Sequence, residues 1–208
     1  MAALIFVSML ISNFNVARKW IESLKSTDDF YFVEVMQRKK DWNLKDNVIK
    51  HYVIYNTEDL ERYRIEIITL CRVFNARAYI WINPRNLEQM HKNILRFTID
   101  AMDSHSKNIY RITSKSLGAS KNNNYPKKWI LDFDTKDKSL ISKYLDILIN
   151  CRPTNTGSKV YEGIETVNGW HIITKEFDVE QFSQELAIAH LDNIDIHKDS
   201  PTLIYYEH

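Results

Sequence analysis

The sequence predicts an α+β protein with a mixed or antiparallel sheet. Segments whose apolar residues recur at helical spacing alternate with short apolar runs of strand length, in the order α-β-β-α-β-α, a basic segment, then β-α-β-β-α-β-β. The 208 residues are 44% hydrophobic, and only 4 are glycine and 4 proline. This composition supplies a hydrophobic core and excludes disorder as the main state.

The first half of the chain predicts three helices and three strands. Asn56 or Thr57 provides the N-cap of the second helix, and Pro84 ends the third strand. The predicted helices are residues 13–25, 57–74 and 86–105, and the predicted strands are residues 30–36, 49–55 and 77–83. The apolar residues of the third helix are expected to face inward: Leu87, Met90, Ile94, Leu95, Phe97 and Met102.

A basic segment separates the two halves. Residues 107–128 contain six Lys or Arg and no Asp or Glu, although the whole chain has a net charge of only +1. The segment predicts a long exposed loop, either functional or merely solvated. The balanced total charge excludes a protein that is basic throughout, so nucleic-acid contact would depend on local segregation of charge. We expect an N-terminal αβ lobe over residues 1–106, the basic loop, and a second lobe over residues 129–208, all forming one compact core.

The second half predicts five strands and two helices. Asn168-Gly169 between two strand-like runs is a hairpin signal. The predicted strands are residues 129–134, 159–165, 170–174, 194–197 and 202–206, and the predicted helices are residues 137–150 and 178–189.

Cysteine usage and the N-terminus indicate the compartment. Cys71 and Cys151 are far apart and belong to no CxxC pattern, which favours buried thiols in a reducing compartment over a disulfide or a zinc site. The apolar run at residues 1–11 lacks the preceding basic residues of a secretory signal and is shorter than the roughly 20 residues that span a bilayer. We expect a buried helix or strand there, no membrane partner and a cytoplasmic protein, in the host cytoplasm if the protein is viral.

The first chemical signal is a pair of carboxylates in one strand. Residues two apart on a strand point to the same face, so Asp132 and Asp134 project together while Trp129, Leu131 and Phe133 face the core. Hard divalent ions such as Mg²⁺ take such oxygen ligands. Two structural alternatives remain: Asp134 begins a turn and caps the next helix, and Asp132 lies at a solvated edge.

The second signal is a histidine just past the predicted hairpin turn. His171 is placed to donate a hydrogen bond to a phosphate, and the alternative is a half-buried structural histidine. Three of the four glycines flank these strands, namely Gly157, Gly163 and Gly169, which indicates a close approach of backbone.

The third signal is a carboxylate between two isoleucines. Asp195 needs a partner or must face a site, because an unpaired charge among apolar neighbours is costly. Asp199 is more typical of a turn residue before Pro201.

In chain order, these signals resemble the three motifs of the archaeo-eukaryotic primase superfamily, in its small phage-type primase-polymerase branch. Residues 130–134 resemble the hhhDhD motif. Residues 166–171 are similar to the Gly-containing motif that ends in His, and residues 193–195 to the motif with a late Asp, for which Asp199 offers a competing alignment. The resemblance covers residues 129–206, with the N-terminal lobe similar in outline.

The resemblance implies an RRM-like sheet and metal-dependent nucleotidyl transfer during DNA replication. Asp132, Asp134 and Asp195 would be catalytic and would bind Mg²⁺ or Mn²⁺. His171 would contact the phosphates of a nucleoside triphosphate, with Lys175 or Thr174 nearby. The lysines that would hold the single-stranded DNA template are Lys121, Lys127 and Lys128. The chain has no Walker A motif, so a helicase partner would be a separate protein.

Three other functions fit the residues. One is a single-stranded nucleic-acid-binding protein without catalysis, although carboxylates on a binding face repel phosphate unless a metal intervenes. Another is a two-metal nuclease or phosphoesterase that uses the same carboxylates. The last is a small interaction protein without an enzyme site.

Overall fold

The structure is a computed structural model that describes residues 9–38, 46–103, 110–154 and 157–207. It confirms the α+β class, with helices and antiparallel sheets. The chain divides into two compact units: Met1–Tyr125 together with Ile204–His208, and Pro126–Leu203. The described part of the predicted basic loop is therefore shared between them, with residues 110–125 in the first unit.

The first unit contains a sheet and four helices among its described residues. The helices are α1 (Phe14–Glu22), α2 (Thr57–Val73), α3 (Leu87–Asp103) and α4 (Tyr110–Ala119). The strands are β1 (Leu10–Ser12), β2 (Asp29–Gln37), β3 (Asn47–Ile54), β4 (Arg77–Trp81), β5 (Arg85–Asn86) and β10 (Pro201–Glu207), the last of which begins in the second unit. The strand order is β1-β10-β4-β2-β3, with β5 also paired to β2.

Strand β2 is the centre of this unit because both of its faces are buried. Phe30 and Phe32 pack with Leu117 of α4, whereas Tyr31 stacks on Trp20 of α1 with ring centroids 6.1 Å apart. Helix α2 begins as predicted, since the Asn56 side chain accepts a hydrogen bond of 2.8 Å from the Asp59 backbone N–H.

The basic segment differs from its prediction. Residues 110–119 form α4 instead of an exposed loop, and Leu117 is buried. The expected loop is wrong over this stretch, while residues 107–109 lie outside the described part. The helix has no clear apolar periodicity because several of its residues are small and polar. Ser116 can be buried because its hydroxyl donates a hydrogen bond of 2.7 Å to Ile112 O.

A buried carboxylate fixes the end of the same segment. Asp29 on β2 is 3% exposed. Its Oδ1 accepts from Asn86 Nδ2 at 3.0 Å and from Asn122 Nδ2 at 2.5 Å, and its Oδ2 accepts from the Tyr125 hydroxyl at 2.7 Å. Residues 120–125 are thus tied to the sheet, because a buried carboxylate needs such partners.

The second unit contains a four-stranded sheet and two helices within its described residues. The elements are β6 (Lys128–Phe133), α5 (Lys138–Asn150), β7 (Val160–Glu165), β8 (Trp170–Lys175), α6 (Val179–Ile188) and β9 (Asp195–His197). The strand order is β7-β8-β6-β9, with antiparallel neighbours, so the first and third strands of a β-α-β-β-α-β series are central.

One face of this sheet forms the core of the second unit. The odd-numbered residues of β6, Trp129, Leu131 and Phe133, pack with Ile172 and with the buried sides of α5 and α6. The rings of Phe133 and Tyr144 meet edge to face at 5.2 Å. The even-numbered residues of β6 therefore point to the opposite face.

The two thiols behave as the sequence predicts. Cys71 and Cys151 are both buried and free of disulfides. Burial raises the pKa of the Cys71 thiol to about 12. Cys151 follows α5, whose last carbonyls are capped by a buried lysine: Lys159 Nζ donates to Leu148 O and to Ile149 O at 3.0 Å each, and to Cys151 O.

We expect Lys159→Met to destabilise the fold by about 2–4 kcal/mol, because it removes charge-assisted hydrogen bonds and leaves buried helix-end carbonyls without donors. Lys159 is 2% exposed, so water cannot replace the ammonium group. Urea denaturation gives the free energy of unfolding. The control is Lys136→Met, since Lys136 is half exposed and forms a surface ion pair of 3.4 Å with Glu165. A Lys159→Met loss no larger than that of the control would contradict the capping role.

The apolar N-terminus is described only in part. Residues 10–12 form β1, which pairs with β10, and Ile11 is buried. A strand is thus present as expected, but only Ile11 of it is buried, since Leu10 and Ser12 are exposed; residues 1–8 lie outside the described residues. Within the described ranges, no helix has the length and apolar character required to cross a bilayer.

Candidate active site

Three of the residues singled out in the sequence occupy one cross-strand row. Asp132 on β6 is directly opposite His171 on β8 and directly opposite Asp195 on β9. Residues opposite each other on neighbouring strands share a face, so all three lie on the face opposite the core of the second unit. The row brings together residues from three separate motifs.

Two imidazoles surround the Asp132 carboxylate. His171 Nε2 is 3.3 Å from Asp132 Oδ1, and His197 Nε2 is 3.7 Å from Asp132 Oδ2. Burial by itself raises the pKa of this carboxyl, but the hydrogen bonds and charges of His171 and then His197 outweigh it, so the net pKa lies below the usual value. The Asp132 carboxylate therefore favours its ionised form, and the side chains beside its two oxygens are both imidazoles.

A buried hydroxyl orients the His171 ring. Thr202 Oγ1 is 2.9 Å from His171 Nδ1, and Thr202 has no exposed surface. One ring nitrogen is thus engaged by Thr202 while the other faces Asp132. This arrangement fixes the imidazole in the row, because a histidine held at both nitrogens cannot rotate freely.

The hairpin turn before His171 packs against the backbone that follows Asp132. A Cβ atom added at Gly169 would overlap Phe133 O and would lie 2.6 Å from Thr135 N and 2.8 Å from Thr135 O. Only glycine fits at this position. The close approach predicted for Gly169 is confirmed, and it couples the turn before His171 to the peptide units on both sides of Asp134.

Asp134 lies outside the row. Strand β6 ends at Phe133, and Asp134 follows in an exposed bend. Asp134 does not cap α5, because that role belongs to Asp137, whose carboxylate accepts from Ser139 N at 2.8 Å and from Leu140 N at 3.2 Å. Asp199 lies beyond β9, which supports Asp195 as the residue aligned with Asp132.

The two additional nucleotide-binding candidates are not beside His171. Thr174 pairs with Trp129 on the core side of the sheet and has no exposed surface, so it lies on the opposite face from His171. Lys175 lies on the same face as His171 but four residues along the strand, roughly 13 Å away. It is directly opposite Lys128.

The three template-binding candidates have different surroundings. Lys121 is exposed in the first unit, where its backbone forms an isolated antiparallel β-bridge with Arg85. Lys127 in the second unit pairs with Glu176 at 3.6 Å. Lys128 begins β6 instead of lying in an exposed loop, and burial lowers the pKa of its ammonium group to about 8, with Glu162 opposing the shift. Lys128 is thus less suited to holding template DNA than the sequence predicts.

The lowered pKa of Lys128 should make the free energy of unfolding depend on pH. Between pH 8 and about 10.5 the unfolded chain binds a proton at this lysine that the folded chain has released, so its contribution to stability rises with pH. Lys128→Met should therefore be most stable relative to the wild type near pH 7, and this advantage should shrink up to pH 10.5. Urea denaturation across this range measures the difference, with Lys127→Met at an exposed position as the control. A difference that is constant with pH for Lys128→Met would contradict the lowered pKa of this lysine.

The described side chains do not form a preassembled metal centre. Asp132 and Asp195 supply carboxylate oxygens on one row, which is the ligand type that Mg²⁺ and Mn²⁺ favour. However, no group of three or more His, Cys, Asp or Glu residues in the described ranges has the arrangement of a metal site. Both carboxylate oxygens of Asp132 instead face imidazole nitrogens.

Sequence analysis missed two members of this site. His197 stands two residues after Asp195, so strand periodicity places both on one face, and this signal was present in the sequence. The sequence contains no such indication for Thr202, because its contact with His171 depends on where β10 lies after the turn that follows β9. Comparisons with protein-family models, curated proteins and solved structures find no match to this chain.

Proposed function

We propose that the second unit is a metal-dependent nucleotidyltransferase that extends or starts a strand on single-stranded DNA, as primase-polymerases do. The observation that carries the proposal is the cross-strand row of Asp132, His171 and Asp195. The resemblance to primases rested on the order of three motifs along the chain. It gains support because the motifs meet on three adjacent strands of a β-α-β-β-α-β unit, the arrangement that an RRM-like sheet requires.

The chain's own residues have distinct parts in this proposal. Asp132 and Asp195, with Asp134 from the adjoining bend, would hold Mg²⁺ or Mn²⁺, which supplies charge stabilisation to phosphoryl chemistry when bound. His171 and His197 flank Asp132 in the structure, so the carboxylate oxygens that would hold the ion lie beside imidazole nitrogens. His171 is held by Thr202 at Nδ1, and its Nε2 would be the atom that donates a hydrogen bond to a triphosphate oxygen.

A single-stranded nucleic-acid-binding protein without catalysis is the second candidate. The specific observation in its favour is the imidazole pair on Asp132, which reduces the repulsion between this carboxylate and phosphate without a metal. This candidate predicts salt-dependent binding of single strands that is insensitive to chelators.

One assay separates these functions. Purified full-length protein is incubated with single-stranded DNA, with or without an annealed primer, and labelled nucleotides in Mg²⁺, Mn²⁺ or chelator. Divalent-ion-dependent incorporation supports the proposed nucleotidyltransferase. Binding without incorporation under either metal contradicts it and supports the second candidate, and shortening of the template identifies a nuclease.

A further inference from the structure

Helix α3 carries large apolar residues on two opposite faces. Met90, Ile94 and Phe97 are partly buried on the side that contacts the sheet and α4. On the other side, Leu95, Ile99 and Met102 are 67%, 59% and 72% exposed. The expectation that Leu95 and Met102 face inward is therefore wrong.

The exposed residues form one continuous stripe. Their spacing of four and then three positions places them on a single helix face, about half a turn from the buried side. A helix that packs on one face ordinarily has polar residues on the opposite face, whereas a helix that is apolar all round is buried. The outer face of α3 thus has the composition of a contact surface.

The charges beside this stripe are self-complementary. Arg96 and Asp103 are both exposed and are seven residues apart, so they lie along the same flank of the stripe. If two α3 helices pack antiparallel, Arg96 of each lies beside Asp103 of the other, Leu95 faces Met102, and Ile99 meets its own copy near the axis. Such a pairing is isologous, as a twofold dimer requires.

We propose that the stripe Leu95–Ile99–Met102 is a homodimer interface in which two α3 helices pack antiparallel. A strongly acidic or basic partner would match only one of the two flanking charges, whereas a second copy matches both. One helix face buries less area than the roughly 800 Å² per partner of a standard interface. The dimer is therefore expected to be reversible and to depend on protein concentration.

Sedimentation equilibrium of the full chain over a range from about 1 to 300 µM tests this interface. The wild type should shift from monomer to dimer across that range. Ile99→Glu should remain monomeric, because it places a charge at the centre of the contact. The matched control is Ile65→Glu on α2, since Ile65 is 77% exposed but lies on another helix, and this variant should dimerise like the wild type. Circular dichroism melting shows that each variant is folded.

A charge swap tests the antiparallel geometry itself. Arg96→Glu places like charges opposite each other and should weaken the dimer about tenfold, whereas Arg96→Glu combined with Asp103→Arg should restore it. A wild type that is monomeric at every concentration overturns the proposal and leaves the stripe to a different protein. A dimer that Ile99→Glu leaves intact overturns it as well.

Discussion

Asp132→Asn is expected to lower divalent-ion-dependent nucleotide incorporation on the order of 100-fold or more. The substitution keeps the size of the side chain but removes the charge at the centre of the row, where the proposed ion must bind. The assay is extension of a primed single strand by wild-type and variant protein at equal folded concentration. Full incorporation by Asp132→Asn would exclude this carboxylate from the chemistry.

The same substitution should also cost about 1–2 kcal/mol of stability, because a half-buried carboxylate whose two oxygens face His171 and His197 is replaced by an amide with a single acceptor oxygen. Repulsion between Asp132 and Asp134 would give the opposite sign, but Asp134 is exposed in the bend beyond β6. Asp134→Asn is the matched control: Asp134 is exposed beyond the strand, so its free energy of unfolding should change by less than about 0.5 kcal/mol. Urea denaturation without metal measures both variants, and a more stable Asp132→Asn would contradict the imidazole contacts.

Gly169→Ala is expected to destabilise the second unit by about 3 kcal/mol or more. The added methyl group would overlap Phe133 O and crowd both polar backbone atoms of Thr135, and neither backbone segment can move without disturbing β6. Because this contact joins the turn before His171 to the bend that contains Asp134, a variant that still folds should lose incorporation as well.

Gly118→Ala provides the control for this glycine substitution. Gly118 lies in α4, and a Cβ atom there would meet no other atom within 4 Å. Alanine is the better helix former, so this variant should gain about 0.5–1 kcal/mol. Thermal or urea denaturation compares the two variants. A Gly169→Ala protein as stable as the wild type would show that the turn can shift and that the close approach is not a constraint.

The sheet of the second unit was largely predictable from the sequence because its strands alternate with capped helices. The alternation in residues 129–134 separates the core residues Trp129, Leu131 and Phe133 from Asp132, and the structure has this division. Asn168-Gly169 likewise predicts the hairpin, since a tight turn needs those residue types. Local patterns therefore specify both the elements and the face on which each candidate residue lies.

Features that depend on contacts distant in the chain were not predictable in the same way. Helical spacing places Leu95 and Met102 on an apolar face, but it does not show that α3 already packs through its opposite face. The helix over residues 110–119 was missed because serines such as the buried Ser116 are typical of loops. The position of His171 against Asp132 and Thr202 depends on strand register and on the returning chain, which no local pattern encodes.

If Asp132, His171 and Asp195 form a single nucleotidyl-transfer site, as proposed, the register of β9 decides which aspartate of the third motif takes part. Asp195 and Asp199 are alternative alignments of the same motif, but only Asp195 is directly opposite Asp132. Nucleotide incorporation on primed single-stranded DNA should therefore fall about 100-fold or more in Asp195→Asn and stay near the wild-type rate in Asp199→Asn. Equal activity of Asp195→Asn and wild type, or a loss confined to Asp199→Asn, would contradict the proposal.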